Sequence, residues 1–114
     1  LVAELTAVRD EILAVDGLGL VAAVLGPATD AAVKSTYREC VVAPRRARLA
    51  EILERAARGG DLVDTSAEDR AVAVAMAVGS GYALALAGET ADDDWPERTA
   101  RLVWRALGGD AATE

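Results

Sequence analysis

The stretch Ala71-Val72-Ala73-Val74-Ala75-Met76-Ala77-Val78-Gly79-Ser80-Gly81-Tyr82-Ala83-Leu84-Ala85-Leu86-Ala87 decides the fold. Its alternation of small and larger residues is formally that of a strand. It is far longer than a usual strand, however, and alanine suits a pleated sheet poorly, so a helix is expected. In steps of four, Ala71, Ala75, Gly79, Ala83 and Ala87 make one smooth groove, and Ala73, Ala77, Gly81 and Ala85 make another. Val72, Met76, Ser80 and Leu84, and likewise Val74, Val78, Tyr82 and Leu86, make the ridges between them. A helix apolar all round must be covered all round. The run falls short of the ~20 predominantly apolar residues of a membrane span and is weakly apolar, so a core or interface helix is expected and no membrane association.

The whole chain has 114 residues, which suits one core, and a single domain over residues 1–114 is expected. A domain of that size has few layers with which to wrap such a helix, so the simplest cover is a second copy of the chain. Hydrophobic residues make up 53% of the sequence and charged residues 27%, enough apolar surface to offset the entropy of ordering. The formal charge of -7 opposes a general contact with a phosphate backbone. With no histidine and Cys40 as the lone cysteine, disulfide frameworks, zinc knuckles and histidine-based triads are excluded. Neither an enzyme nor a cofactor or metal site is expected. The chain opens at Leu1 inside a helix-like pattern, Met76 is its only methionine and no targeting segment is evident, so it reads as a piece of a longer, cytoplasmic protein.

Working outward, the other blocks are helical too. Leu1, Leu5, Val8, Ile12 and Val15 form an apolar stripe that Asp16-Gly17 ends. Leu18 to Leu25 reads as a short buried helix closed by Gly26-Pro27. From Thr29 to Arg58, with Thr29 or Asp30 as cap, the stripe is Val33, Tyr37, Cys40 and Val41, then Leu49, Ile52, Leu53 and Ala56. Pro44 lacks the N–H that the Cys40 carbonyl would accept, so a kink or brief break is expected there, and Gly59-Gly60 stops the helix. Thr65-Ser66-Ala67-Glu68 is a capping box that starts the next helix near Ser66. The last helix opens at Asp94-Trp95-Pro96-Glu97, with Asp94 as cap and an apolar stripe of Trp95, Thr99, Leu102, Val103 and Ala106. Trp104 falls off that stripe, which suggests an exposed, interface-type aromatic group. The fold class is therefore all-α, with five to six helices.

Motif by motif, the chemistry is thin. Gly17-Leu18-Gly19-Leu20-Val21-Ala22 has the spacing of a dinucleotide-binding turn but follows a helical pattern, without the strand that such a turn needs. Asp92-Asp93-Asp94 lacks the glycine and distal glutamate of a calcium loop and reads as charge at a helix start. Arg45, Arg46, Arg48, Arg55 and Arg58, interleaved with Glu51 and Glu54, read as a solvated face, with a docking strip as the sharper alternative.

Tyr37-Arg38-Glu39-Cys40-Val41-Val42-Ala43-Pro44-Arg45-Arg46-Ala47-Arg48-Leu49, running into Glu51-Ile52-Leu53-Glu54-Arg55-Ala56, resembles the middle of the C-terminal regulatory domain of tetracycline-repressor-like (TetR family) transcriptional regulators. Leu84 to Glu89, Asp92-Asp93-Asp94-Trp95 and Arg101-Leu102-Val103-Trp104-Arg105-Ala106-Leu107 are similar to the closing helix pair of that family. The resemblance implies a cytoplasmic, repressor-type, ligand-binding homodimer whose last two helices join their copies in a four-helix interface. It implies DNA contact only through an N-terminal helix-turn-helix domain absent from this sequence. The implied dimer surface is Ala75, Gly79, Tyr82, Ala83, Leu86, Trp95, Thr99, Leu102, Val103 and Ala106. The implied pocket for a small, apolar effector is Val21, Leu25, Tyr37, Cys40, Val41, Met76 and Ser80. A stand-alone helical protein-interaction module with no effector is the competing reading.

Overall fold

A computed structural model describes residues 1–13, 26, 30–63 and 65–109, and among these every regular element is helical. Helix α1 spans Val2–Leu13, α2 Ala31–Tyr37, α3 Ala43–Arg58, α4 Ala67–Leu86 and α5 Trp95–Ala106. A π-helical turn, Arg38–Val42, joins α2 to α3 without a break, so the described residues form four rods. The expected helix over Leu18 to Leu25 and the glycine pattern from Gly17 lie outside the described residues.

Where the chain turns into a helix, a side chain supplies the acceptor that the first N–H groups need. Asp30 Oδ1 accepts from the Ala32 N–H at 2.7 Å, and Ser66 Oγ accepts from the Asp69 N–H at 3.1 Å. At the start of α5 the expected cap is displaced. Asp94 makes no side-chain capping bond; Asp92 does the work instead, its Oδ1 accepting from the Asp94 N–H and its carbonyl from the Trp95 N–H, each at 3.1 Å. At the far end of α3, Gly60 takes a φ of +83°, and the Asp61 N–H reaches back to the Ala56 carbonyl at 3.0 Å. That left-handed turn is why glycine stands there.

Pro44 leaves a mark, though not the expected break. The backbone from Tyr37 to Ala43 stays right-handed helical, and the Ala43 N–H donates to the Arg38 carbonyl five residues back. The helix widens by one residue just ahead of the proline and so absorbs the missing N–H and the crowding of the ring. The widening rotates the buried face. Tyr37, Val41, Val42 and Arg45 are half-buried, leading into buried Leu49 and Leu53, whereas Val33 and Cys40, expected on the stripe, are exposed.

The core is made where α1, α3, α4 and α5 meet. Leu5 and Val8 of α1 and Leu53 of α3 are fully buried, beside Ile12, Leu49 and Ala56. Helix α4 contributes Ala73, Val74, Ala77 and Gly81. Gly81 explains how α4 approaches so closely: a Cβ there would stand 3.0 Å from Ile12 Cδ1 and 3.2 Å from Trp95 Cζ2. Helix α5 buries Trp95, Pro96, Ala100, Val103 and Trp104, with Leu107 beyond its end. That face is set by the 96, 100, 103, 107 spacing, one step round the helix from the expected stripe. Trp104 is therefore core and not an exposed aromatic, while Leu102 is 60% exposed. Arg9 ties α1 to the loop before α5, donating to the Asp92 carbonyl and to Asp93 Oδ1, each at 3.3 Å.

Replacing Gly81 by leucine forces its branch into Ile12 and the Trp95 ring. Stability should fall by about 3 kcal/mol, as overpacked cores do, read from the midpoint of urea unfolding.

Candidate functional site

Two features stand out from the packed core: a bare apolar face on α4 and α5, and a polar cluster where α1, α3 and α4 converge.

The bare face is built from the sides of α4 and α5 that the core does not use. Val72 is 58% exposed, Met76 70%, Leu86 83% and Leu102 60%. Ala75, Gly79, Ala83 and Ala106 are exposed among them, and Thr99 is half-buried. Among the described residues nothing lies within 4 Å of a Cβ built on Gly79. The protein's extents are 45 × 29 × 18 Å. With helices about 10 Å across, a thickness of 18 Å holds two layers, and among the described residues no third layer lies over α4. Of the residues expected on a dimer surface, Trp95 and Val103 lie instead in the subunit's own core, and Tyr82 turns toward α1. Met76, expected in a pocket, stands on the bare face, and Val72 from the same ridge joins it.

By length and composition α4 also passes as a membrane span. Its Ala73, Val74, Ala77 and Gly81 are buried in the core of this domain, while Val72, Met76 and Leu86 stand exposed.

The polar cluster gathers four side chains. Arg45, near the start of α3, donates through Nη2 to Glu11 Oε2 at the end of α1, and both side chains are largely withdrawn from solvent. Tyr37, just before the π-turn, and Tyr82 of α4 lie within the field of this pair and of each other. Burial, followed by the Glu11 carboxylate, raises both phenols above their ordinary value of 10.0, so both hold their protons at neutral pH. The Nε of Arg45 is buried with no hydrogen-bond partner among the described residues. Arg45, expected on a solvated face, is thus drawn into the interior.

The remaining pocket candidates are scattered. Val41 is half-buried, and Ser80 is half-buried with its hydroxyl donating to the Ala77 carbonyl at 2.8 Å. Cys40 is exposed, and Val21 and Leu25 lie outside the described residues. A separate groove of about 340 Å³ runs between α3 and α4, lined by Arg46, Ala47, Ala50, Glu54, Ala67, Arg70, Ala71 and Val74, none of them an expected pocket residue. The basic strip is mostly neutralised within the chain: Arg48 meets Glu4 at 3.1 Å, Arg55 meets Glu51 and Arg58 meets Glu54 at 3.9 Å. Among the described residues, no group of three or more histidine, cysteine, aspartate or glutamate side chains is placed to hold a metal ion.

The family model for the tetracyclin repressor-like C-terminal domain matches residues 1–103, and the chain belongs to that family. Domains of this family are regulatory and not enzymatic, and they typically dimerise and bind small-molecule effectors. No curated protein and no solved structure matches the chain.

Because both phenols titrate above 10.0 in the folded state, their contribution to stability is complete below that pH and is lost as the pH rises through their folded values. Unfolding midpoints should fall between pH 9 and pH 11, and fall less in Tyr82→Phe, as followed by circular dichroism.

Proposed function

We propose that this chain is the ligand-responsive dimerisation domain of a TetR-like transcriptional regulator. Two copies join through α4 and α5, a small effector binds among the earlier helices, and DNA is contacted by a helix-turn-helix domain elsewhere in the protein. The observation that carries the reading is the bare face of Val72, Met76, Leu86 and Leu102 around the smooth track of Ala75, Gly79 and Ala83. Large side chains beside a track of small ones let two helices approach closely, and an isologous interface places the same patch on both subunits. Exposed aliphatic surface of this extent marks an interaction site in a soluble protein. The -7 charge supports leaving operator contacts to another domain.

Effector control then requires only that the ligand favour one relative pose of the two subunits over another. Cytoplasmic residence accords with that role.

Sedimentation tests the interface. The parent chain should run as a dimer, and Met76→Glu or Leu102→Glu, each placing a charge on the bare face, should weaken association at least tenfold, about 1.4 kcal/mol. Both changes leave the core untouched, so helicity should persist. Variants that remain as dimeric as the parent would remove α4 and α5 from the interface, and a monomeric parent would favour a stand-alone interaction module.

A further inference from the structure

Tyr37 and Arg45 are eight residues apart, which in an unbroken α-helix separates them by about 80° around the axis. The π-turn between them accommodates one extra residue, so the pair behaves as if seven apart and comes within about 20° of alignment. That register lets Arg45 close on Glu11 while Tyr37 stands in the same field, and Tyr82 arrives from α4. Donors from three separate elements thus converge on one place.

The cluster is not saturated. Among the described residues the buried Arg45 Nε–H has no hydrogen-bond partner, a state it shares with Arg9 Nε, and an unpaired buried donor costs a native protein free energy that an acceptor would recover. Both tyrosines are only half-buried, so the site is approachable along their rings. Its charge is balanced, because Glu11 already offsets Arg45. A ligand bringing its own net charge would be stripped of water and find no uncompensated partner.

Resting on the effector reading above, we infer that the effector enters here with an uncharged hydrogen-bond acceptor, a ketone, ester or amide oxygen on an apolar body. The Tyr37 and Tyr82 hydroxyls and the Arg45 guanidinium donate to it, and Glu11 holds the guanidinium in place. The groove between α3 and α4 is the less suitable site, since Arg70 there already donates to Thr65.

Three probes of one shape test the claim: cyclohexanone, cyclohexanecarboxylate and cyclohexylammonium, each titrated into the whole chain and followed by NMR of the tyrosine rings and backbone amides. Cyclohexanone should shift Tyr37 and Tyr82, and bind at least tenfold more tightly than either charged probe. Tyr82→Phe should weaken it about 3- to 10-fold, the worth of one hydrogen bond. Glu11→Gln leaves the site with a net positive charge and should reverse the order, so that cyclohexanecarboxylate gains on cyclohexanone at least tenfold. Equal or tighter binding of a charged probe to the parent, or an unchanged order in Glu11→Gln, would overturn the inference. Cyclohexanone shifting residues of the α3/α4 groove and leaving the tyrosines silent would sink this site while preserving an effector-binding domain. No response anywhere would remove both and leave dimerisation alone.

Discussion

The arrangement depends on one mismatch: a helix apolar round its whole circumference sits in a domain two layers thick. Helix α4 satisfies part of its circumference through Ala73, Val74, Ala77 and Gly81 against α1, α3 and α5. The rest is left bare, and α5 extends that bareness through Leu102. Hydrophobic burial is non-directional and scales with area removed from water, so an uncovered strip of this kind is a standing driving force for association. The two glycines of α4 divide the roles. Gly81 is small for the sake of the subunit, with Ile12 and Trp95 against it, and Gly79 is small with none of the described residues against it.

Much of this was legible in the sequence, and the residues show why. Leu5, Val8 and Ile12 are spaced for one face of a helix, and so are Leu49, Leu53 and Ala56; all six are buried. Asp30 and Ser66 cap the helices they precede because their short side chains reach the free N–H groups. What escaped was rotational phase. A stripe drawn through Leu102 and one drawn through Trp104 differ by a fraction of a turn, and only the packing of α5 against α1 and α4 chooses between them. The π-turn was equally hidden. Pro44 announced a disturbance, but whether a helix bends, breaks or widens depends on neighbours the chain brings from far away.

The polar cluster was illegible for a related reason. Glu11 and Arg45 are ordinary charged residues on otherwise solvated faces, separated by a long stretch of sequence. Their pairing needs α1 and α3 to cross at the right height. Most other arginines of the strip, Arg48, Arg55 and Arg58, find carboxylates in exposed positions, where such pairs contribute little. Arg45 differs from these three by being largely withdrawn from water.

The widened turn ahead of Pro44 carries an evolutionary corollary. Gaining or losing a single residue there would swing every side chain upstream by roughly a quarter turn relative to those downstream. A regulator could thereby exchange the chemistry lining its sensor by one short insertion or deletion, leaving the downstream scaffold of the bundle intact.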